Sequence, residues 1–393
     1  MSSNDPAPQT RLLRAGRPHK GWVNTPVTRA STYIFENVAQ WRDVRARRGD
    51  ERLASYGARG TDSTFALEDA LIELEGGYRA KAYCTGQAAI AIVLLSYLRA
   101  GDHLLLTDGV YEPVRRFCKE QLTRLGIEFT YFLPDGSDIA EKIRPNTRLI
   151  YVESPASLTY DMLDLPAVAE LARKHDCLVA ADNTWGSGYL YRPLDLGADI
   201  SVCAATKYLS GHADIMMGTV VTNKRAWQPL EDATVDFGQT IGADDAFLML
   251  RGIRSLPLRL AAHGKACLQV AQWLQQRPEV ARVYCPALPE DPGHALWKRD
   301  CTGQNGLLTI EFVPAIDAAS VERLIDSLQL FGLGASWGGF ESLVIPVNIG
   351  AARSIGDWSK HGAMIRLHIG LEDTNDLIND LEQAMHSCLP RIG

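Results

Sequence analysis

Two side chains in this 393-residue chain have types and positions suited to covalent chemistry: Asp182 closes the apolar run Leu178 to Ala181, and Lys207 follows the run Ile200 to Ala205. Runs of that length suit buried strands, and an open α/β sheet does its chemistry where such strands end. An acid and an amine at the ends of neighbouring strands suit pyridoxal phosphate. The lysine can hold the cofactor covalently, and the carboxylate can keep the pyridine nitrogen protonated so that the ring accepts electrons.

A phosphate needs a cradle. After the apolar run Ala80 to Cys84 comes Thr85-Gly86-Gln87-Ala88-Ala89, where the chain turns into a helix whose free amides and dipole favour an anion. Gly86 and Gln87 are the candidate phosphate residues, although a glycine at such a turn by itself indicates no more than a turn. Thr206 adds a hydroxyl one residue before Lys207. Tyr111 follows the next apolar run and would open onto the same sheet edge, where a flat ring can stack on a pyridine; outside this context it would be an ordinary loop tyrosine. Arg366 lies inside the apolar run Met364 to Ile369, a costly place for a charge unless a partner is supplied. That partner is either a structural acid or the carboxylate of an amino-acid substrate, which a guanidinium holds with two parallel hydrogen bonds. His212 and His368 are read as structural, because a lysine released by substrate already supplies a mobile base.

The elements that must position these groups follow from the pattern. Residues 80–84, 103–107, 127–132, 149–153, 177–182, 199–204 and 218–222 read as strands separated mostly by helical patterns. This alternation predicts a mostly parallel seven-stranded sheet with helices on both faces. Residues 61–75 look like a capped helix with Leu67, Leu71 and Leu74 on its buried face and Gly76-Gly77 as its stop. A long helix, Asp244 to Gln276, leads to a smaller α+β unit with strands at 307–313, 343–347 and 364–369 and helices at 321–328 and 377–389. The expected organisation is an N-terminal arm (1–60), poor in regular pattern, a large cofactor domain (61–243), and a linker helix with a small C-terminal domain (244–393).

The run Ala205-Thr206-Lys207-Tyr208-Leu209-Ser210-Gly211-His212 resembles the cofactor-lysine signature of the Cys/Met-metabolism family of pyridoxal-phosphate enzymes. Asp182-Asn183-Thr184-Trp185 is similar to that family's ring-nitrogen motif, and Ser336-Trp337-Gly338-Gly339-Phe340-Glu341-Ser342 to its substrate-side motif. Order and spacing match from Thr25 to the C-terminus, with the greatest likeness to the bacterial cystathionine β-lyase branch. The resemblance implies the aspartate-aminotransferase-like fold (the PLP-dependent transferase-like fold). It also implies a carbon-sulfur β-lyase that cleaves a thioether amino acid to a thiol, pyruvate and ammonia. It makes Lys207 and Tyr111 the catalytic pair and places Asp182, Thr206, Gly86, Gln87, Tyr56, Tyr111 and Ser157 at the cofactor. It assigns Arg366, Ser336, Trp337 and Arg59 to the substrate. Tyr56 and Arg59 fall where family members serve a neighbouring subunit's site, which implies a homodimer with shared sites and, in the family's usual state, a dimer of dimers. Ser157 stands where the wider family has asparagine, which leans toward the β-lyase branch.

The chain also departs from the family pattern. The arm motif reads Tyr56-Gly57-Ala58 where an arginine contacting phosphate is expected, Ala204 replaces a hydroxyl residue, and Val235 and Ala335 replace tyrosines. These changes imply weaker phosphate binding and a wider pocket. A γ-lyase or γ-synthase, another pyridoxal-phosphate-dependent conversion of a different, bulkier amino acid, and a cofactor-binding regulatory protein remain as alternatives.

Composition narrows the partners. A net charge of -7 supplies no basic field for nucleic acid, and the short cluster Arg42, Arg45, Arg47 and Arg48 reads as a solvated helix face. Eight cysteines without a CxxC pair indicate neither zinc nor a redox motif, and they suit a reduced, cytoplasmic setting. No stretch is long and apolar enough for a membrane span, and the first residues lack the apolar core of a signal peptide.

Overall fold

The computed structural model describes residues 6–18, 21–49 and 51–392. Seven strands build the large sheet: β1 (Arg79–Tyr83), β2 (His103–Thr107), β3 (Glu128–Phe132), β4 (Thr147–Glu153), β5 (Leu178–Asp182), β6 (Ile200–Cys203) and β7 (Gly218–Thr222). Their order is β1-β7-β6-β5-β4-β2-β3, parallel throughout except for the two pairings of β7. The period-2 alternation of a strand divides the side chains between two cores. Leu104, Leu106, Tyr151, Ala180 and Val202 pack on one face beneath the helix Gly86–Tyr97. Leu105, Ile150, Val152, Val179 and Ala181 pack on the other, against the helix Leu165–Lys174. Asp182 follows the register of Ala180 and so lies on the first face.

The second sheet holds β8 (Val280–Tyr284), β9 (Leu307–Phe312), β10 (Gly332–Leu333), β11 (Leu343–Val347) and β12 (Met364–His368), in the order β10-β11-β12-β9-β8. The two sheets are bridged by the 32-residue helix Ala243–Leu274. Met249, Leu250 and Ile253 of this helix share a core with Leu67 and Leu71, whereas Cys267, Val270 and Leu274 belong to the core of the small sheet. One rigid helix therefore sets how the two sheets face one another.

The arm is more regular than its pattern predicts. Helices occupy Pro8–Arg14 and Val38–Arg47; the second is capped by the Asn37 side chain, and Arg47 pairs with Asp43 and Glu51. For Val38–Arg47 local caps and charge pairs suffice, with no buried face to leave a hydrophobic period, whereas Pro8–Arg14 is too short to show one although it buries Leu12 against Leu67 and Leu71. Helix Val38–Arg47 buries nothing, in keeping with a solvated basic face. Strand β8 and helix Lys224–Asp236 also escape the sequence pattern, the helix because Pro229 interrupts it. Among the described residues no helix is long and apolar enough to cross a membrane.

Candidate active site

Strands β5 and β6 are parallel neighbours, with Asp182 opposite Val202, so Asp182 and the turn carrying Lys207 emerge together at the C-terminal edge of the sheet. Thr184 ties the two ends. Its hydroxyl donates to Asp182 Oδ1 at 2.6 Å and accepts from the Ala204 N–H at 2.9 Å. Asp182 also accepts from the Thr184 N–H at 3.0 Å and from the Tyr151 hydroxyl at 3.3 Å. Burial raises its pKa while the Thr184 and Tyr151 bonds oppose the rise. Among the described residues Asp182 has no basic partner, so a buried carboxylate is left to meet a positive charge from outside the protein.

Lys207 faces the small sheet. Its Nζ donates to Ser336 Oγ at 2.5 Å and lies 5.5 Å from the centre of the Trp337 ring. Burial and the nearby Arg366 cation lower its pKa to about 8, so a useful fraction of the amine is neutral near physiological pH. Ser336 holds a left-handed backbone conformation (φ 85°), rare for a residue with a side chain, and its carbonyl accepts from Arg366 Nη2 at 2.9 Å. One serine therefore touches both cations. Arg366 forms no salt bridge among the described residues, and its Nε is buried without a partner. The substrate-side loop is seated on Tyr208 and His368: Trp337 packs on the Tyr208 ring at 5.3 Å, and the Gly338 N–H donates to His368 Nε2 at 3.1 Å. A Cβ on Gly338 (φ 89°) would sit 2.7 Å from the Lys207 backbone, so the close approach requires glycine. Burial drives the pKa of His368 down to about 3, leaving a neutral acceptor and no acid-base group.

At the far side of the edge, Thr85 caps the helix Gly86–Tyr97 by accepting from the Ala88 N–H at 3.0 Å, and the first amides of the helix face outward as helix geometry requires. Gly86 lies against Ala204, with room for no side chain, and Gln87 Oε1 is buried without a partner. Tyr111 starts the helix Glu112–Phe117, half exposed, its N–H donating to Glu153 Oε2 at 2.7 Å. Glu153 ends β4 opposite Asp182 in register, and burial beside that carboxylate pushes its pKa well up. Ser157 lies in the loop after β4, its N–H on the Gly109 carbonyl at 2.8 Å. The Thr206 hydroxyl spends its bonds on the backbone of Met217, donating at 3.1 Å and accepting at 2.9 Å.

The structure thus brings together Asp182, Lys207, Ser336, Trp337, Arg366, Tyr111 and Ser157 around one sheet edge. Tyr56 and Arg59 lie elsewhere on the chain. Tyr56 is exposed and pairs with Thr32, and Arg59 joins Glu231 at 3.3 Å in a buried network with Lys81 and Glu68. The sequence pattern assigns no site role to Thr184, Tyr151 or Glu153. Thr184 and Glu153 sit at or just beyond strand ends, a signal the sequence carries, whereas Tyr151 is in mid-strand and only the fold aims its hydroxyl.

The sequence matches the model of the Cys/Met metabolism PLP-dependent enzymes over residues 9–386. The chain belongs to this family. Pyridoxal phosphate is therefore its cofactor, and the residues present fit it: an acid without a cation, an amine tuned by burial, and a glycine-led helix start. Two similar relatives are a cystathionine beta-lyase of Bordetella avium, 48% identical over 92% of each chain, and cystathionine beta-lyase MetC of Escherichia coli K12, 42% identical over 95% of this chain and 96% of that one. Among solved structures, cystathionine gamma-lyase from Lactobacillus plantarum complexed with L-serine matches with a TM-score of 0.87 at 29% identity, covering 98% of this chain and 99% of that one. One fold in this family thus carries names of both regiochemistries, and local residues must decide between them.

Proposed function

We propose that this protein is a pyridoxal-phosphate-dependent carbon-sulfur β-lyase of the cystathionine β-lyase type, turning a thioether amino acid and water into a thiol, pyruvate and ammonia. The observation that carries the reading is the pair of site cations joined through Ser336: an amine able to move a proton and a guanidinium with no acid of its own. Arg366 holds the substrate carboxylate, which fixes Cα near Lys207. The bound cofactor supplies the sink for the electron pair left at Cα, and Asp182 keeps the ring nitrogen protonated for that purpose. Lys207, steadied by the Ser336 hydroxyl, takes the Cα proton and later returns a proton. The bond from Cβ to sulfur breaks and the thiolate leaves. Tyr111 would flank the ring, Gly86 and Gln87 would receive the phosphate with Thr206 shaping the adjoining turn, Ser157 would stand at the cofactor, and Trp337 would line the substrate side.

The homo-oligomer is part of the same proposal. Apolar side chains stand in water along the arm, Trp22 at 65% and Ile34 at 96% exposure, and a second copy of the chain would cover them and bring Tyr56 and Arg59 to its site. The eight free thiols support a cytoplasmic setting.

A second reading, a bulkier substrate, rests on Ala58 and Val235 being smaller than the family pattern. The two line one small cavity of about 30 Å³ with Arg59 and Gln239, which would widen a pocket only where a second copy of the chain brings it to that copy's site. The deciding assay mixes the cofactor-loaded protein with L-cystathionine and identifies the keto acid and thiol. Pyruvate with homocysteine is expected. Release of 2-oxobutyrate would move the reaction to Cγ, and absence of product from cystathionine alongside turnover of larger thioethers would establish the wider pocket.

A further inference from the structure

The loop from β11 to β12 carries a second buried cation without an acid. Arg353 is 6% exposed, and among the described residues it forms no salt bridge. Its Nη2 donates to the Ser157 carbonyl and to Thr159 Oγ1 at 2.9 Å, and its Nε has no partner. The next two residues go to one carboxylate. The Ser354 N–H donates to Asp108 Oδ1 at 2.9 Å and Oδ2 at 3.0 Å, and the Ile355 N–H to Oδ2 at 2.9 Å. Asp108 is fully buried and takes Arg115 Nη1 at 2.9 Å, while Arg115 Nη2 donates to the Ser354 hydroxyl.

Both anchors sit in the loops that shape the site. Asp108 opens the loop from β2 to Tyr111, and Ser157 lies in the loop that follows Glu153. The loops are themselves tied, Ser157 N–H to the Gly109 carbonyl at 2.8 Å and Tyr111 N–H to Glu153 at 2.7 Å. The loop that grips them runs directly into β12, the strand that carries Arg366. We propose that residues 353–355 clamp these two loops, and that Arg353 and Asp108 are thereby positioning residues that set Tyr111 and Ser157 against Arg366 for an amino-acid substrate. The physical reason is that Arg353 Nη2 reaches its two acceptors, and Asp108 gains the Ser354 and Ile355 N–H donors, only when the loop is docked, so the docked arrangement is the low-energy one. The inference rests on the reading of Lys207, Tyr111 and Arg366 given above.

The test uses the full-length, cofactor-loaded protein with Arg353→Gln, Arg353→Lys and Asp108→Asn. The readouts are visible circular dichroism of the bound cofactor without substrate, kcat and KM separately, and the thermal midpoint. A displacement of about an ångström at a site costs on the order of 100-fold, so Arg353→Gln is expected to raise KM at least about tenfold and to change the dichroic band. Visible absorbance and melting should stay near those of the parent, and Arg353→Lys should recover part of the loss. An unchanged KM and dichroic band in folded Arg353→Gln would overturn the proposal, as would an activity loss that follows melting with no change in KM. Should that variant fail to fold, Ser354→Ala removes only the hydroxyl held by Arg115 and must move the same two readouts in the same direction. If the parent releases no pyruvate from cystathionine, the β-lyase reading falls, whereas the dichroism and the affinity for an unreactive amino acid still judge the clamp.

Discussion

Buried charge in this protein is handled in two opposite ways at its active edge and away from it. In the buried network away from the edge charges are paired: Glu231 meets Lys81 at 3.1 Å and Arg59 at 3.3 Å, and Lys81 meets Glu68 at 3.7 Å. At the edge they are sorted by sign instead. On the large-sheet side Asp182, Glu153 and Glu75 form no salt bridge among the described residues and are held by neutral donors such as Thr184, Tyr151, the Tyr111 N–H, Asn183 and Ser201. Facing the small sheet, Lys207, Arg366 and Arg353 are held only by hydroxyl and carbonyl oxygens. Burial raises the pKa of all three acids and lowers that of all three bases. An isolated buried charge is costly, and pairing within the protein would offset part of the cost. Leaving the two signs apart keeps acid for a cationic ring and cations for an anionic substrate, which is how perturbed groups come to mark functional sites.

The strongest challenge to this contrast is Lys207→Ala. Turnover should fall by at least about 10⁴-fold, and the visible absorbance of the bound cofactor should disappear, read by steady-state assay and spectrum. Full activity would make the amine a bystander.

Arg366→Gln sharpens the distinction between a site cation and a structural one. Loss of a charged hydrogen bond of about 1.5 to 3 kcal/mol predicts kcat/KM lower by roughly 10- to 150-fold, chiefly through KM. Because the guanidinium has no acid to abandon, the melting temperature of the cofactor-free protein should hold or rise. A fall of several degrees would show a structural charge.

The last prediction concerns stability and leaves turnover aside: it belongs to Glu75, which Asn183 and Ser201 each bind at 3.0 Å. Burial lifts its pKa from 4.5 to about 7. Since the folded pKa is the higher one, the folded state binds more protons between those values. Stability is therefore fullest at low pH and declines as pH rises through about 7, by about 3 kcal/mol in all. Glu75→Gln should flatten that part of the stability profile in urea titrations from pH 4.5 to 7.5. An unaltered slope would mean that the acid is solvated or paired.

Much of the fold was legible because its strands are buried on both faces and read as short apolar runs with helical spacing between them. Asp182 and Lys207 were legible for the same reason: each follows such a run, and chemistry gathers where parallel strands end. What stayed hidden had no periodic trace. Tyr151 looks like one more apolar strand residue until the fold aims its hydroxyl at Asp182, and Asp108 takes the N–H of Ser354, 246 positions away, in the loop that also carries Arg353. Thr206 reads as a ligand hydroxyl, but the backbone of Met217, just before β7, takes its donor and one acceptor position.

The sequence by itself determined the class of sheet, the acid and the amine at its edge, and the cofactor they suit, because strand period and strand-end position are local properties that survive without coordinates. Only the tertiary structure decided which buried charges are paired and which are left for a ligand. Ser336 joins Lys207 to Arg366 and a loop of the small sheet grips two loops of the large one through contacts between residues far apart in the chain, and desolvation acts on a charge according to what surrounds it in space.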